Sequence, residues 1–186
     1  MAFDTFLDIA TVEGECTAEG MEKKIEIFSF SWGASNPTTV SSGKDGLSAG
    51  KVSVSSFNVM KKSEKSSTKL FAACCAGSHF ATAIVTMRKA TGDAGQKAFL
   101  VYTFTDVMIE SVQWSGSSGG DDTPTESLSI AFAKVSVEYS MQDDKGVMKP
   151  AGNASWDLTR SRSKPTFPRP ALRRPGPPAG LWTGYP

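Results

Sequence analysis

Histidine, cysteine and long apolar runs are scarce in this sequence of 186 residues, and each scarcity excludes a class of protein. His79 is the one histidine, and the three cysteines show no C-x-x-C spacing, which leaves too few nitrogen and sulfur ligands for a zinc site. The odd cysteine number, with Cys74 and Cys75 adjacent, argues against a disulfide framework and favours folding in a reducing compartment. No stretch approaches the roughly 20 apolar residues that span a membrane, so we expect neither a metal or cofactor site nor membrane insertion.

A secretory signal is also missing from the N-terminus. The opening residues MAFDTFLDIATVEGE have no basic region, and Asp4 and Asp8 interrupt their apolar run. We therefore expect no cleavable signal peptide. If the protein leaves the cell, it must use a route that reads no such signal.

Charge divides the chain into two parts. Residues 1–159 carry 14 Lys+Arg and 19 Asp+Glu, a net charge of −5, whereas residues 160–186 have six basic side chains, no acid and seven of the ten prolines. An acidic body offers no broad positive surface for nucleic acid. The tail has too few apolar residues to fold alone, so we predict one domain over 1–159 and a disordered tail over 160–186.

The body has the alternating apolar pattern of β-strands, predicted at 3–10, 24–32, 51–59, 80–88, 99–105, 107–114 and 126–139. Two of these segments change phase. Ile25 and Ile27 share one face of the second segment, whereas Phe28, Phe30 and Trp32 share the other, and residues 126–139 change phase in the same way. Such strands either lie between two layers or at a subunit interface, or bend within a closed barrel; the pattern alone leaves both interpretations open.

One short helix is predicted at about residues 67–76. Ser66 or Ser67 is the expected N-cap, Leu70 and Cys74 are spaced to share a stripe, and Gly77 is the expected C-terminal stop. We expect the cysteines of this helix to be small core residues. One helix among about eight strands predicts a mainly β fold, a barrel or sandwich with the helix over one end or face.

Two segments resemble enzyme motifs, but the neighbouring residues do not match what each motif requires. The sequence GSSGG places Ser118 at the nucleophile position of G-x-S-x-G, but a strand is predicted after it and His79 lies upstream, whereas the motif needs a following helix and a downstream histidine. GLSAGK, ending at Lys51, has three residues between its glycines where a phosphate loop has four, and Val52 replaces the required Ser or Thr. We therefore expect no enzyme activity.

Two long polar segments, 36–50 and 115–125, are rich in glycine and serine. Loops of this length in compact domains are usually functional or disordered.

Several segments, taken in order, resemble the Hcp (haemolysin-coregulated protein) family of type VI secretion tube proteins. The most specific are S-W-G-x-S-N at 31–36, K-V-S-V at 51–54 and D-x-x-P-x-E-S at 121–127, within a resemblance that covers roughly residues 3–158. The tail beyond residue 158 matches nothing known in that family.

The resemblance implies a small antiparallel β-barrel with a flanking helix. It also implies homohexameric rings that stack into a hollow tube, a contractile sheath and a spike tip as partners, and small effector proteins in the lumen. The protein would assemble in the bacterial cytoplasm and be secreted through the apparatus. The family's ring-stacking loop falls on Ser41, Ser42, Gly43, Lys44, Asp45, Gly46, Leu47 and Ser48.

A non-catalytic carrier is the alternative function. Trp32, Trp114 and Trp156 could line a pocket for a small molecule or carbohydrate, or they could be anchors of the core or of an interface. A monomer with a defined pocket would favour the carrier.

Overall fold

The computed structural model describes residues 3–40, 47–90, 95–118, 123–143, 147–160 and 162–163. Within these ranges the chain forms one helix, α1 (Ser66–Ala76), and thirteen strands. The strands are β1 (Asp4–Ile9), β2 (Ile25–Glu26), β3 (Ser29–Ser31), β4 (Ala34–Ser35), β5 (Thr38–Val40), β6 (Leu47–Ala49), β7 (Ser53–Val54), β8 (Phe57–Lys62), β9 (His79–Ala90), β10 (Gln96–Ser115), β11 (Thr125–Gln142), β12 (Met148–Asp157) and β13 (Arg162–Ser163).

Six antiparallel neighbours close into a small barrel. The order β1–β9–β10–β11–β8–β3 returns to β1 because β2 and β3 belong to one segment, with β2 paired to β1 and β3 paired to β8. The change of partner occurs between Ile27, whose N–H bonds to Thr5, and Phe28, whose N–H bonds to Met60. This change explains the first phase slip of the sequence, and the predicted barrel is confirmed.

The longest hairpin, β10–β11, belongs to the barrel and to an extension beyond it. The first part of β11 pairs with β8 and its second part pairs with β12, which in turn pairs with β13. The second phase slip of the sequence lies at this exchange of partners. β10 is one strand where the sequence predicted two, and Asp106, at the predicted break, has a left-handed φ of 54°.

The interior of the barrel holds one apolar cluster. Phe57, Phe104, Leu128 and Ile130 are fully buried there, and Leu70 of α1 joins them from outside the sheet. The described strands therefore present alternate residues to a single core, as the predicted alternation required. Phe28, by contrast, is exposed at the point where the strand changes partner.

The helix begins and ends where predicted, but its N-cap was predicted wrongly. Lys65 is the N-cap residue, and its N–H donates to Oε1 of Glu15 at 2.9 Å. An acid fifty positions earlier therefore supplies a hydrogen-bond acceptor to the backbone N–H at the start of the helix. The hydroxyl of Ser67 instead accepts from the N–H of Glu64. The prediction of two core cysteines was half wrong: Cys74 packs partly against the core, but Cys75 is exposed.

Replacing Glu15 with Ala should lower the free energy of unfolding by about 1 kcal/mol, the usual loss for a helix cap. The melting temperature should then fall by about 2–4 °C for a chain of this size. Glu19→Ala is the matched control, since this acid lies in the same loop. The hydrogen bond that the structure records for it joins its backbone oxygen to the guanidinium of Arg88, so the substitution leaves that bond in place. Equal melting temperatures for the two variants would contradict the capping role.

Within the described ranges no helix is long and apolar enough to cross a bilayer; α1 has 11 residues. The division between body and tail at residue 159 stays a prediction. Because the ladder of β12 and β13 continues to Ser163, variants that remove the tail should end there.

Candidate functional site: an exposed two-stranded arm

Residues 33–40 and 47–55 form the two described strands of a ribbon, here called the arm, that continues β3 and β8 beyond the barrel. Its ladders are β4–β7 and β5–β6, and neither pairs with a strand of the body in the part of the chain that the structure describes. At about 3.3 Å per residue, the chain from Gly33 to Val40 can span about 20 Å. The ladders of the arm therefore lie outside the sheet of the barrel.

The two ladders of the arm meet at a close backbone contact. The N–H of Gly50 donates to the oxygen of Pro37 at 2.7 Å, and a Cβ on Gly50 would lie 2.7 Å from the same oxygen. Only glycine fits this position without moving the opposite strand. The glycine that marked a loop in the sequence thus holds two strands of a ribbon together.

Part of the candidate loop is therefore β-structure, which the sequence did not predict. Leu47 and Ser48, two of the eight predicted stacking residues, lie in β6 opposite Val40 and Thr39. The other six, Ser41 to Gly46, fall outside the described residues. All described side chains at 33–39 and 48–51 are exposed, and Lys51 is the one charged residue among them, so these two parts of the arm offer nearly uncharged surface.

Aromatic packing fixes one root of the arm. Trp32, the residue before Gly33, lies 5.3 Å from Tyr102, 5.9 Å from Phe104 and 6.3 Å from Phe132 between ring centroids. These edge-on contacts are the favoured arrangement of aromatic pairs. Trp32 therefore joins the arm to the wall of the barrel.

Hydrogen bonds fix the other root. The N–H of Ser55 donates to the oxygen of Gly33, and the N–H of Gly33 donates to the hydroxyl of Ser55, both at 2.9 Å. The hydroxyl of Ser56 donates to Oε2 of Glu110 at 2.6 Å, and that of Ser129 reaches the same oxygen at 3.2 Å. Glu110 sits at the β-bulge between Ile109 and Ser111. Sequence reasoning missed this residue, because nothing in its local pattern marks the bulge.

The sequence motifs of enzymes do not assemble into a site. Ser118 is exposed after β10, and the next described element is strand β11, not the helix that its motif requires. His79 pairs instead with Asp106, with Nδ1 and Oδ1 2.9 Å apart at the surface. Within the described ranges, no three His, Cys, Asp or Glu side chains come together as metal ligands would.

The three candidate tryptophans do not share a pocket. Trp32 packs in the aromatic wall, Trp156 lies in β12, and Trp114 is 47% exposed and contacts Phe71 of α1 at 5.4 Å. A groove of about 540 Å³ lies elsewhere, between the β1–β2 edge and the start of α1, and no tryptophan lines it. Trp156 lines a smaller cavity of about 220 Å³, in whose wall neither Trp32 nor Trp114 takes part. The described geometry therefore does not bring the three candidate residues to one pocket.

A fully buried ion pair lies beneath α1. Nζ of Lys61 is 2.8 Å from Oε2 of Glu126, and it also donates to Oγ of Ser67 and the oxygen of Lys62. Nε1 of Trp114 donates to the other carboxylate oxygen at 2.7 Å. Burial acts to raise the pKa of Glu126, but the bond from Lys61, with the Ser67 and Ser63 hydroxyls, holds that pKa below its usual value.

Large apolar side chains are exposed at several places on the described surface, and four of them form two pairs. Phe71 and Trp114 form one pair on α1 and β10, and Tyr139 and Met141 extend along the outer half of β11. Exposed aromatic surface of this kind marks contact sites more often than free surface. The two pairs lie on different elements, as a contact between unlike faces of two copies would need.

Comparison with known proteins finds one family along most of the chain. Residues 6–139 match the family model described as "Type VI secretion system effector, Hcp". The chain is 37% identical to Protein hcp1 of Pseudomonas aeruginosa over 146 residues, which cover 78% of this chain and 88% of that protein.

Solved structures agree with the sequence match. A structure titled as a type six secretion system protein superposes with a TM-score of 0.81 at 37% identity, covering 88% of this chain and all of that one. Hcp1 from Salmonella typhimurium superposes with a TM-score of 0.71 at 31% identity, over 88% of this chain and 99% of that one.

Proposed function

Since the chain belongs to the Hcp family of type VI secretion system proteins, we propose that it is a structural subunit of the inner tube of that system. Six copies form a ring, and rings stack into a hollow tube. The role is mechanical and needs no catalysis. The resemblance deduced from the sequence to this family is confirmed.

The observation that carries the proposal is the exposed arm. Its ladders lie outside the sheet of the barrel, both of its roots are anchored, and its residues at 33–39 and 48–51 are exposed and mostly uncharged. A tube that assembles and later comes apart needs ring-to-ring contacts weaker than those within a ring. A polar arm supports such a reversible contact, because exposed polar contacts contribute little stability each.

Contacts within a ring should be more apolar. A ring requires a heterologous interface that closes by rotation, in which one face of a subunit meets a different face of the next. The Phe71–Trp114 pair and the Tyr139–Met141 surface supply two such faces. Burial of these side chains would stabilise the ring through the hydrophobic effect.

The remaining partners follow from the same proposal. A contractile sheath would surround the tube, a spike would sit on its tip, and small effector proteins would occupy the lumen. The subunit would assemble in the cytoplasm and leave the cell through the apparatus. The basic tail of residues 160–186 is the part of the sequence that the family does not share, so its effect on stacking needs a direct test.

Native mass spectrometry and negative-stain imaging of the purified full chain test the proposal. We expect a sixfold species and ring-shaped particles. If the full chain is a monomer at micromolar concentration, the same measurement on residues 1–163 decides between two causes. Rings in the shorter chain would show that the tail blocks assembly, and a monomer in both would refute the tube.

A further inference from the structure

We propose that Glu110 is a positioning residue that sets the direction of the arm, and through it the contact between stacked rings. This inference rests on the proposed function. The carboxylate lies on the barrel, at the bulge of β10, and holds Ser56 at the root of the arm.

One carboxylate oxygen links β10 and β11 to the root of the arm. Oε2 of Glu110 accepts from Ser56, the residue before β8, and from Ser129 near the start of β11. The 2.6 Å bond to Ser56 has the short length of a hydroxyl donating to a charged carboxylate. Because Ser129 is held in the β10–β11 and β8–β11 ladders, the oxygen is tied to the body on one side and to the arm on the other.

The bulge is what brings the carboxylate to this place. The register of β10 against β11 shifts by one residue between Ile109 and Ser111, which leaves Glu110 outside the regular pairing. Bulges redirect a side chain without ending a strand. A regular strand would give Glu110 a partner on β11, and its side chain would follow the alternation of its neighbours.

A small change at the root becomes a large change at the tip. For an arm about 20 Å long, a tilt of about 20° moves the tip by about 7 Å. Hydrogen bonds tolerate a few tenths of an ångström. The arm has few other ties, because its side chains at 33–39 and 48–51 are exposed and its ladders pair with no described strand of the body, although Val52 and Val54 are half-buried.

Aromatic residues anchor both strands close to the root of the arm. Trp32 anchors the strand that leaves the barrel, and Phe57, which is fully buried, anchors the strand that returns. Ser56 lies between Phe57 and the arm, and Ser55, the last residue of the arm, is exposed. Because Glu110 ties Ser56, it limits bending of the ribbon beyond Phe57.

Symmetry multiplies the effect. If loss of the tie leaves each arm correctly placed half of the time, six arms are correctly placed together about 1/64 of the time. The ring concentration that gives half-maximal stacking should then rise about 60-fold. A contact that is weak in one subunit thus becomes decisive in a ring.

The test compares four single variants of the full chain. Glu110→Ala and Ser56→Ala each remove the tie, Glu110→Gln keeps an acceptor oxygen, and Glu138→Ala removes an exposed acid of β11 for which the structure records no side-chain contact. We expect the ring concentration for half-maximal stacking to rise about 60-fold in Glu110→Ala and Ser56→Ala. In Glu110→Gln and Glu138→Ala this concentration should change less than about threefold. Ring content and melting temperature should stay at their wild-type values in all four.

Hydrogen exchange gives a readout that does not require stacking. The amide of Ser55 is protected by its bond to Gly33, and its exchange should be at least fivefold faster in Glu110→Ala than in Glu138→Ala. Equal exchange in these two variants overturns the inference. So does a loss of rings or of melting temperature in Glu110→Ala, because the residue would then hold the barrel and not the arm.

The variant that lacks residues 43–48 separates this inference from the proposed function. If its rings do not stack while Glu110→Ala stacks normally, the arm contact stands and the role of Glu110 fails. If its rings stack as in the wild type, the arm contact itself is wrong.

Discussion

Deleting residues 43–48 should abolish stacked tubes and leave rings intact. The deletion removes four residues of the segment between β5 and β6, together with the β6 partners of Thr39 and Val40, but it touches no residue of the apolar core. Ring formation depends on the flanks of the barrel in the proposed function, so it should not change. Size-exclusion chromatography with light scattering measures the rings, and electron microscopy counts the tubes.

The control for this deletion removes six residues elsewhere. A chain that lacks residues 181–186 is shortened equally, and it should form rings and tubes as the full chain does. Loss of rings in the arm deletion would place the arm within the ring contact and refute its assignment to stacking.

Glu126→Ala should destabilise the fold more than any surface substitution, by about 3–5 kcal/mol. The change leaves the Lys61 ammonium fully buried without its counter-ion, and it removes the acceptor of the Trp114 indole. Urea unfolding followed by fluorescence measures the loss. Glu138→Ala, an exposed acid on the same strand, should stay within about 0.5 kcal/mol of the wild type.

Replacing both partners should cost much less than replacing one. Lys61→Met with Glu126→Leu removes both buried charges, and such apolar replacements are often neutral. We therefore expect the double variant to be more stable than Glu126→Ala. A double variant as unstable as the sum of both single losses would show that the charges themselves hold α1 in place.

The pair of Lys61 and Glu126 makes the free energy of unfolding depend on pH. The pKa of Glu126 is lowered in the folded protein, so its contribution is complete above the unfolded value near 4.5 and is lost as the pH falls through the folded value. Glu126→Gln should therefore lose less stability than the wild type as the pH falls below about 4.5. Parallel pH profiles for the two proteins would contradict this assignment.

The sequence predicted the fold correctly where a strand keeps the same neighbouring strands along its length. The alternation of β1 and β9 and the limits of α1 were read correctly, because those residues face a single core. The phase changes were visible too, but their cause was not. An exchange of partner at Ile27 and Phe28 depends on strands far away in the sequence, so local periodicity cannot distinguish it from a bend or an interface.

Edge elements were the ones missed. β12 contains Pro150, Gly152 and Asn153, which favour turns, yet it forms a strand because an outer position tolerates them. In the candidate site, the resemblance to the Hcp family pointed to the segment that contains the arm, but the glycine- and serine-rich composition of residues 36–50 predicted a loop. Its ladders depend on the close contact of Gly50 with Pro37, and its root depends on Glu110, contacts that link distant residues and leave no local pattern.

The closure of the barrel also determines when the chain can fold. β1 pairs with β9, so Asp4 lies opposite Arg88, and the last seam joins Phe57 of β8 to Ile130 of β11. Pairings across such long separations slow folding, because the intervening chain must be ordered first. During synthesis the edge of β8 therefore stays without its partner until β11 has been made, and this strand is where a nascent chain is most exposed to aggregation.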